Sequence, residues 1–99
     1  MKIIESQQFK DELRTIAFYI RQDKLSASLS FVKGLKKKIN LLTDFLYQSK
    51  KSIYFDNDEI RDMVYMEYTI VYEVNKEKDT LALLSIFNQN LPDLTKKES

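Results

Sequence analysis

The sequence has no cysteine and no histidine among its 99 residues. Without cysteine the chain forms no disulfide and offers no thiolate nucleophile, and without histidine it offers no imidazole base. The common zinc ligand sets are excluded together with these two residue types. We therefore expect neither a metal nor another cofactor, so any chemistry must rest on carboxylates, amides, lysine, arginine and tyrosine.

Long hydrophobic runs are also missing. No apolar stretch approaches the roughly 20 residues that a membrane helix needs, and the opening MKIIESQQFKDEL lacks the apolar region of a signal peptide. A formal net charge of only +1, with 31% charged residues, does not indicate a general nucleic-acid binder. These features predict a cytoplasmic protein without a membrane partner, in which any electrostatic site is local.

Glycine and proline occur once each, as Gly34 and Pro92. Gly34 lies within a helical pattern, where glycine costs about 1 kcal/mol relative to alanine. We expect it to let two helices approach closely, the alternative being a tolerated surface glycine. Pro92 opens a polar ending, and a chain of this length predicts one domain over residues 1–91 followed by a polar tail over 92–99.

Two stretches of the first half show helical periodicity. The first follows Ser6, a suitable N-cap, and the second follows Ser26, with about four residues between the two helices. So short a connection predicts an antiparallel helical hairpin. The two apolar stripes are Phe9, Leu13, Ile16, Ala17 and Ile20, and Phe31, Leu35, Ile39, Leu42 and Leu46.

The second half is rich in β-branched and aromatic residues. Runs at 60–65, 68–74 and 80–87 are separated by Met66-Glu67 and by the polar NKEKD, which predicts an antiparallel meander. The short KIIE run at 2–5 predicts an extra strand. The fold class is therefore α+β, with an N-terminal strand, a two-helix antiparallel hairpin and an antiparallel meander of three to four strands, the helices on one face.

Two further features of the β-rich half are open to interpretation. Tyr68 and Tyr72 share one face of the middle run, where we expect half-buried rings with their hydroxyls in water. The apolar triplet Ile53-Tyr54-Phe55 precedes a turn-rich segment and predicts either a brief strand or an ordered loop.

Several segments resemble the RelE/ParE toxin superfamily, the toxins of bacterial type II toxin–antitoxin modules. The likeness lies in IR at 60–61, YTIVYEV at 68–74 and IFNQN at 86–90. The segment SASLSF at 26–31 resembles the superfamily's Ser-x-x-Ala-x-x-Phe region, although its alanine falls earlier. The resemblance extends over the chain to about Asn90 and implies the strand, helical hairpin and meander already predicted.

The superfamily contains two biochemistries. RelE-like members are ribosome-dependent messenger RNA endonucleases, and ParE-like members block DNA gyrase without a nuclease site. Nuclease members place an arginine, histidine or tyrosine at or after the last strand, whereas residues 80–92 here contain no ionisable side chain. The resemblance therefore implies a ParE-like toxin that binds gyrase. A RelE-like nuclease acting on the ribosome and its messenger RNA, and a non-toxic relic of the fold, are the alternatives.

The resemblance also implies roles for particular residues. For a gyrase-binding toxin, the expected target-binding residues are Arg61, Asn88, Gln89 and Asn90. Arg61 has a structural alternative, an ion pair with a neighbouring carboxylate. The three amide residues have another, a polar end cap of the last strand. For a nuclease, RNA cleavage needs a proton acceptor, an acid and cations for the phosphate. The residues available for that chemistry are Arg61, Lys50, Lys51, Tyr65, Tyr68 and Tyr72.

A cognate antitoxin is the partner that such a toxin implies. Phe18 and Tyr19 lie off the main stripe of the first predicted helix, and Leu29 and Leu41 lie toward the edges of the second. A small domain that leaves such side chains exposed offers a surface to an amphipathic helix. We expect these four residues to bind the antitoxin.

Overall fold

Two helices pack on one face of a five-stranded sheet in the part of the chain that the structure describes, residues 1–88 of a computed structural model. The strands lie in the order β1-β5-β4-β3-β2, which confirms the predicted α+β fold. Within these residues neither helix is long and apolar enough to cross a membrane. The elements are β1 (Lys2–Glu5), α1 (Gln7–Asp23), α2 (Leu25–Leu42), β2 (Lys50–Lys51), β3 (Ile60–Tyr65), β4 (Tyr68–Asn75) and β5 (Thr80–Asn88).

The strands β3, β4 and β5 form the predicted antiparallel meander. Met66 and Glu67 make the two-residue turn between β3 and β4, and both have positive φ angles, 47° and 72°, as a type I′ turn requires. β1 joins the meander as predicted, but it runs parallel to β5, with Ile3 opposite Leu81. The chain crosses the helical layer before it returns to the sheet, and such a crossover permits parallel pairing. The sheet is therefore mixed, and β2 adds a strand that the polar sequence did not indicate.

The helical hairpin is tighter than predicted. Lys24 alone joins the helices, in an extended conformation, as the C-cap of α1 and the N-cap of α2. The prediction that Ser26 caps the second helix is wrong, because Ser26 lies inside α2. The neighbouring Ser28 instead holds the helices together, since its hydroxyl donates to the carbonyl of Ala17 at 2.7 Å.

The start of α1 lies where the sequence predicted it, whereas the end of α2 does not. Ser6 caps α1 as predicted, because its Oγ accepts a hydrogen bond from the Phe9 N–H at 3.0 Å. α2 ends at Leu42, so the predicted stripe is one position too long. Leu46 lies in the following loop, and its carbonyl accepts a hydrogen bond from the Tyr72 hydroxyl at 2.7 Å.

The core lies between α2 and the sheet. Phe31, Leu35 and Ile39 follow one another at four-residue spacing, which places them on one face of the helix, and all three are buried. Leu35 is fully enclosed, so α2 supplies the central contact of the helical layer. The sheet contributes Met63, Tyr68, Ile70, Tyr72, Val74, Leu81, Leu83 and Ile86.

α1 is covered less completely than α2. Phe9 near its start is buried, whereas Leu13, Ile16 and Ile20 are half-buried. These three residues still pack against the core. One flank of α1 therefore remains open beside the sheet.

The opposite face of the sheet carries the loop at 52–59, which settles the open interpretation of its apolar triplet in favour of an ordered loop. The Ile53 N–H donates to Oδ2 of Asp62 on β3 at 3.1 Å. The Tyr54 ring packs edge-on against Phe87 of β5, with ring centroids 5.3 Å apart. The loop is therefore held at both sides of the meander.

Gly34 does not serve the contact between helices that its position suggested. A Cβ at this position would overlap the hydroxyl oxygen of Tyr65 on β3. That hydroxyl donates to the carbonyl of Phe31, one turn earlier in α2, at 3.0 Å. Gly34 thus leaves room for a tyrosine of the sheet to reach the backbone of α2.

We predict that Gly34→Ala destabilises the wild-type protein but stabilises a Tyr65→Phe protein. With tyrosine present, the new methyl group must displace a hydrogen-bonded hydroxyl, and overpacking of this kind costs about 1–3 kcal/mol. With phenylalanine, the nearest ring carbon lies 3.5 Å from the ideal Cβ position, which is ordinary contact. Alanine then gains about 1 kcal/mol of helix propensity.

Urea unfolding of the four proteins in this double-mutant cycle measures the effect. A Gly34→Ala change of the same sign and size in both backgrounds would show that Gly34 is not coupled to the Tyr65 hydroxyl.

Candidate functional site

Arg61 lies near the start of β3, with its guanidinium group among three neighbours. Its Nε donates to the Asp58 carbonyl at 3.0 Å and its Nη1 to the Ser49 carbonyl at 3.2 Å. The guanidinium carbon also lies 4.8 Å from the centroid of the Tyr47 ring. Arg61 therefore holds the loop after α2 against the loop before β3.

Tyr47 connects this arginine to further charged groups. Its hydroxyl donates to Oε1 of Glu59 at 2.5 Å, and Nζ of Lys76 lies 5.0 Å from its ring centroid. The hydrogen bond to the Glu59 carboxylate raises the pKa of Tyr47, and burial raises this pKa further. Tyr47 thus keeps its proton at neutral pH, and its ring offers a π-surface to two cations.

β2 brings two more cations to the same end of the sheet. Lys50 and Lys51 lie opposite Asp62 and Arg61 in the ladder, and both are exposed. Nζ of Lys51 lies 3.1 Å from a carboxylate oxygen of Asp58. The structure therefore gathers Lys50, Lys51, Arg61 and Lys76 in one region, which we call the cationic cluster.

Tyr65 is the last residue of β3 and Tyr68 is the first residue of β4, so both lie beside the β3–β4 turn, at the opposite end of β3 from Arg61. Arg61 and Tyr65 are four positions apart, which is about 13 Å along a strand. The Tyr65 hydroxyl donates to the Phe31 carbonyl, and the Tyr68 ring packs edge-on against Phe31 at 5.2 Å. The residues proposed for a nuclease are thus divided between two ends of the sheet.

Tyr72 departs from the expectation of a half-buried ring with a hydroxyl in water. Its side chain is fully buried, and its hydroxyl donates to the Leu46 carbonyl. Burial raises the pKa of Tyr72. Tyr68 is also more buried than expected, at 9% exposure. Tyr72 is therefore a core residue with an internal hydrogen bond, because α2 and its loop cover this part of β4.

A groove of about 520 Å³ opens between the flank of α1 and the ends of β4 and β5. We call it the sheet-end groove. It brings together Tyr19, Tyr68 and Asn88, which the sequence suggested for three different roles. Asp11 and Glu12 add carboxylates to an otherwise mainly apolar lining. Its lining residues are Asp11, Glu12, Thr15, Ile16, Tyr19, Tyr68, Ile86, Phe87 and Asn88.

Glu12 shapes this groove and was missed in the sequence. Its Oε1 accepts from the Ser85 hydroxyl at 2.7 Å and from the Ile86 N–H at 3.0 Å. These bonds join α1 to β5 where the β4–β5 register shifts at Val71/Tyr72. Within residues 1–88, no group of three acidic side chains is arranged to hold a metal ion.

The four residues predicted to bind an antitoxin are all exposed on the helices. Phe18, Tyr19, Leu29 and Leu41 have between 53% and 68% of their surface accessible. Tyr19 lines the sheet-end groove, whereas Leu41 lies beside β3, in a second groove. The structure thus places the two in different grooves. Of the predicted target-binding residues, Gln89 and Asn90 lie outside the described residues, as does the predicted tail at 92–99.

The sequence profile of the ParE toxin of type II toxin–antitoxin systems, parDE, matches residues 3–90. Comparison with curated protein sequences gives no match. Among solved structures, the chromosomal ParDE TA system from P. aeruginosa gives a TM-score of 0.68 at 13% identity, covering 89% of this chain and 95% of that one. The isolated E. coli RelE toxin gives a TM-score of 0.63 at 15% identity, covering 98% of this chain and 93% of that one. The RelBE2 toxin–antitoxin complex from Mycobacterium tuberculosis gives 0.57 at 16% identity, covering 89% and 96%.

The chain belongs to the ParE toxin family of type II toxin–antitoxin systems. This membership confirms the resemblance to the RelE/ParE superfamily that the sequence carries. The fold is shared with both ParE and RelE toxins. The fold therefore does not distinguish gyrase binding from messenger RNA cleavage, and the choice between them must rest on the residues of this chain.

Proposed function

We propose that the protein is the toxin of a type II toxin–antitoxin module, that it arrests growth by binding DNA gyrase, and that a cognate antitoxin neutralises it. The family to which the chain belongs supports the general role. The observation that carries the choice of a binding toxin over a nuclease is the division of Arg61 from Tyr65 and Tyr68 by about 13 Å of strand.

The internal contacts of these residues strengthen the choice. Catalysis of RNA cleavage requires a proton-transfer group within hydrogen-bond reach of the same phosphate that cations stabilise. Two N–H groups of the Arg61 guanidinium donate to loop carbonyls. The hydroxyls of Tyr65 and Tyr72 also donate to backbone carbonyls. Using them on RNA would first break contacts that hold the fold.

The second candidate function is a ribosome-dependent messenger RNA endonuclease, and one observation favours it. The cationic cluster sets Lys50 and Lys51 on the surface beside Arg61, where they could bind a phosphate backbone. Tyr47, whose ring lies against Arg61, is held protonated by Glu59, so it could serve only as an acid. The carboxylates beside the cluster that could accept the proton of the 2′-hydroxyl are already engaged, Glu59 with Tyr47 and Asp58 with Lys51, and we therefore place this function second.

The sheet-end groove is the surface that we propose for the antitoxin. Its floor is largely apolar, and Ile16, Tyr19 and Ile86 line it beside the open flank of α1. Asp11 at its rim is exposed, so an amphipathic helix that carries a basic residue is the partner that fits. Several of the similar structures are described as complexes with antitoxins, among them the E. coli RelE mutant with an antitoxin peptide and the M. tuberculosis RelBE2 complex.

Overlap of two surfaces accounts for neutralisation. Of the proposed target-binding residues that the structure describes, Arg61 lies in the cationic cluster, whereas Asn88 lines the same groove as Tyr19. A helix in this groove would cover Asn88 and keep gyrase from it. One site would then serve both partners in turn.

Supercoiling of relaxed plasmid by purified gyrase tests the proposed target. We expect the wild-type protein to inhibit supercoiling, and Asn88→Ala to raise the inhibitory concentration about fivefold, as loss of one interfacial hydrogen bond does. Asn40→Ala, at an exposed position of α2, is the matched control and should inhibit like the wild type.

Two outcomes of this assay count against the proposal. Supercoiling that continues at full rate with excess wild-type protein would exclude gyrase as the target. Equal inhibition by the two asparagine variants would remove Asn88 from the target-binding surface.

A charge placed in the groove tests the antitoxin surface. We predict that Tyr19→Lys weakens binding of the antitoxin encoded in the adjacent reading frame about tenfold or more, because the new ammonium faces a partner of the same charge. Ile53→Lys, at a similarly exposed position on the other face of the sheet, should bind normally. Titration calorimetry with refolded toxin and antitoxin gives both affinities, and a normal affinity for Tyr19→Lys would place the antitoxin elsewhere.

A further inference from the structure

The charge of the protein is distributed unevenly along the chain. Residues 7–42, which form the helical hairpin, contain eight lysines and arginines and three carboxylates, whereas the rest of the sequence contains eight and twelve. Clustered charges of one sign repel one another in the isolated protein. The near-neutral total of +1 therefore conceals a basic hairpin joined to an acidic remainder.

α2 contains four lysines and no carboxylate. Lys33 and Lys37 lie two residues before and after the fully enclosed Leu35, which turns them about 160° away from the core on a helix of 3.6 residues per turn. Lys36 lies two residues after Gly34, which faces β3, so it points away from β3 and toward α1. These three lysines are exposed, and within residues 1–88 none of the three forms an ion pair.

α1 adds two cations beside these lysines. Ala17 marks the side of α1 that contacts α2, because its carbonyl accepts a hydrogen bond from the Ser28 hydroxyl. Arg14 and Lys10 lie three and seven residues before Ala17, on the same side of the helix, and both are exposed. Asp11 is the carboxylate next to them, and it is already paired with Arg14 at 3.5 Å. We call the surface formed by these five cations the basic hairpin surface, and its members are Lys10, Arg14, Lys33, Lys36 and Lys37.

The five cations are closely spaced along the hairpin. Counted from the Ser28–Ala17 hydrogen bond at 1.5 Å per residue, Arg14 lies about 4.5 Å along the hairpin and Lys37 about 13.5 Å, with the other three between them. The surface is therefore about 9 Å long. The same length of duplex axis carries about five phosphate charges, so the number of cations matches the number of phosphates.

The neighbouring side chains indicate a nucleic acid and not a membrane. Ser26, Ser30 and Asn40 share the outer side of α2 with the two central lysines, and all three are exposed. Hydroxyl and amide side chains bind phosphate oxygens, whereas a helix that lies on a membrane buries an apolar face in it. The exposed Phe18 and Leu29 lie closer to the link between the helices, outside the basic hairpin surface.

We propose that the basic hairpin surface binds the phosphate backbone of duplex DNA without regard to sequence. The one aromatic residue of α2, Phe31, is buried, so the surface offers no ring on which an unpaired base could stack. The choice of DNA as the duplex rests on the proposed function, because gyrase acts on DNA. The surface lies on the other flank of α1 from the sheet-end groove, and it holds the toxin on the substrate of its target.

Fluorescence anisotropy of a short labelled DNA duplex, in the absence of gyrase, tests the surface. Five phosphate contacts predict a slope of about −4.5 for the logarithm of the affinity against the logarithm of the salt concentration. The affinity should therefore fall about 500-fold between about 50 and 200 mM salt.

A pair of double variants tests which lysines bind. Lys33→Gln/Lys37→Gln removes two phosphate contacts and should reduce the slope to about −2.7. Lys2→Gln/Lys78→Gln removes the same charge from exposed positions outside the helices and should keep the wild-type slope. All four lysines are exposed, so both proteins should fold normally.

Two further ligands test the identity of the partner. Duplex RNA of the same sequence should bind no more tightly than the DNA. Vesicles of phosphatidylglycerol, at the same phosphate concentration, should bind more weakly than the DNA because the outer side of α2 offers them no apolar face.

Three results would overturn the proposal: no DNA binding at about 50 mM salt, equal slopes for the two double variants, and binding of RNA tighter than, or of vesicles as tight as, that of DNA. The supercoiling assay gives a separate result. A protein that inhibits gyrase but does not bind DNA would reject this surface alone. A protein that binds DNA but leaves gyrase active would support the surface and reject gyrase as the target.

Discussion

The contact between α2 and the β3–β4 hairpin is the constraint on which the rest of the molecule depends. Phe31 packs against both Tyr65 and Tyr68, with ring centroids 5.2 Å away in each case. The Tyr65 hydroxyl reaches the backbone of α2 over Gly34, and Leu35 is enclosed one turn further on. Truncating a buried leucine of this kind costs about 2–5 kcal/mol, so this contact sets the height of the helical layer over the sheet.

The candidate sites lie where that contact ends. α2 covers the middle of the sheet, and α1 follows it through the single-residue link at Lys24. α1 therefore lies over β5 with one flank uncovered, which creates the sheet-end groove. On the other side of the sheet, β2 pairs only with Arg61 and Asp62 of β3. Beyond these two residues, Lys38 of α2 donates to the Val64 carbonyl of β3. Both grooves are consequences of elements that stop short of the sheet's edges.

Local sequence patterns were sufficient to predict the two helices and every strand except β2, because each of these elements depends on residues close in sequence. The helical stripes, the cap at Ser6 and the turn at Met66-Glu67 all have local causes. The contact of Gly34 does not, since Tyr65 lies 31 positions away and no local pattern connects the two. The exact link between the helices was also missed, because Lys24 lacks the capping side chain that the sequence offered at Ser26.

Part of the candidate site could also be predicted, again where the signal depends on residues close in sequence. The exposed apolar residues Phe18, Tyr19 and Leu29 could be read from their position off the helical stripes. Glu12 could not, because in sequence it is one more acidic residue early in a helix, and its role appears only when β5 brings Ser85 and Ile86 to it. The division of Arg61 from Tyr65 likewise requires the strand geometry.

We propose that these residues make a binding toxin and not a nuclease. Mapping of messenger RNA 5′ ends on translating ribosomes, with the wild-type protein added at concentrations that stop gyrase, tests it most directly. We expect that no new ends appear. New ends at concentrations that leave gyrase supercoiling untouched would contradict it and would assign the cationic cluster to RNA.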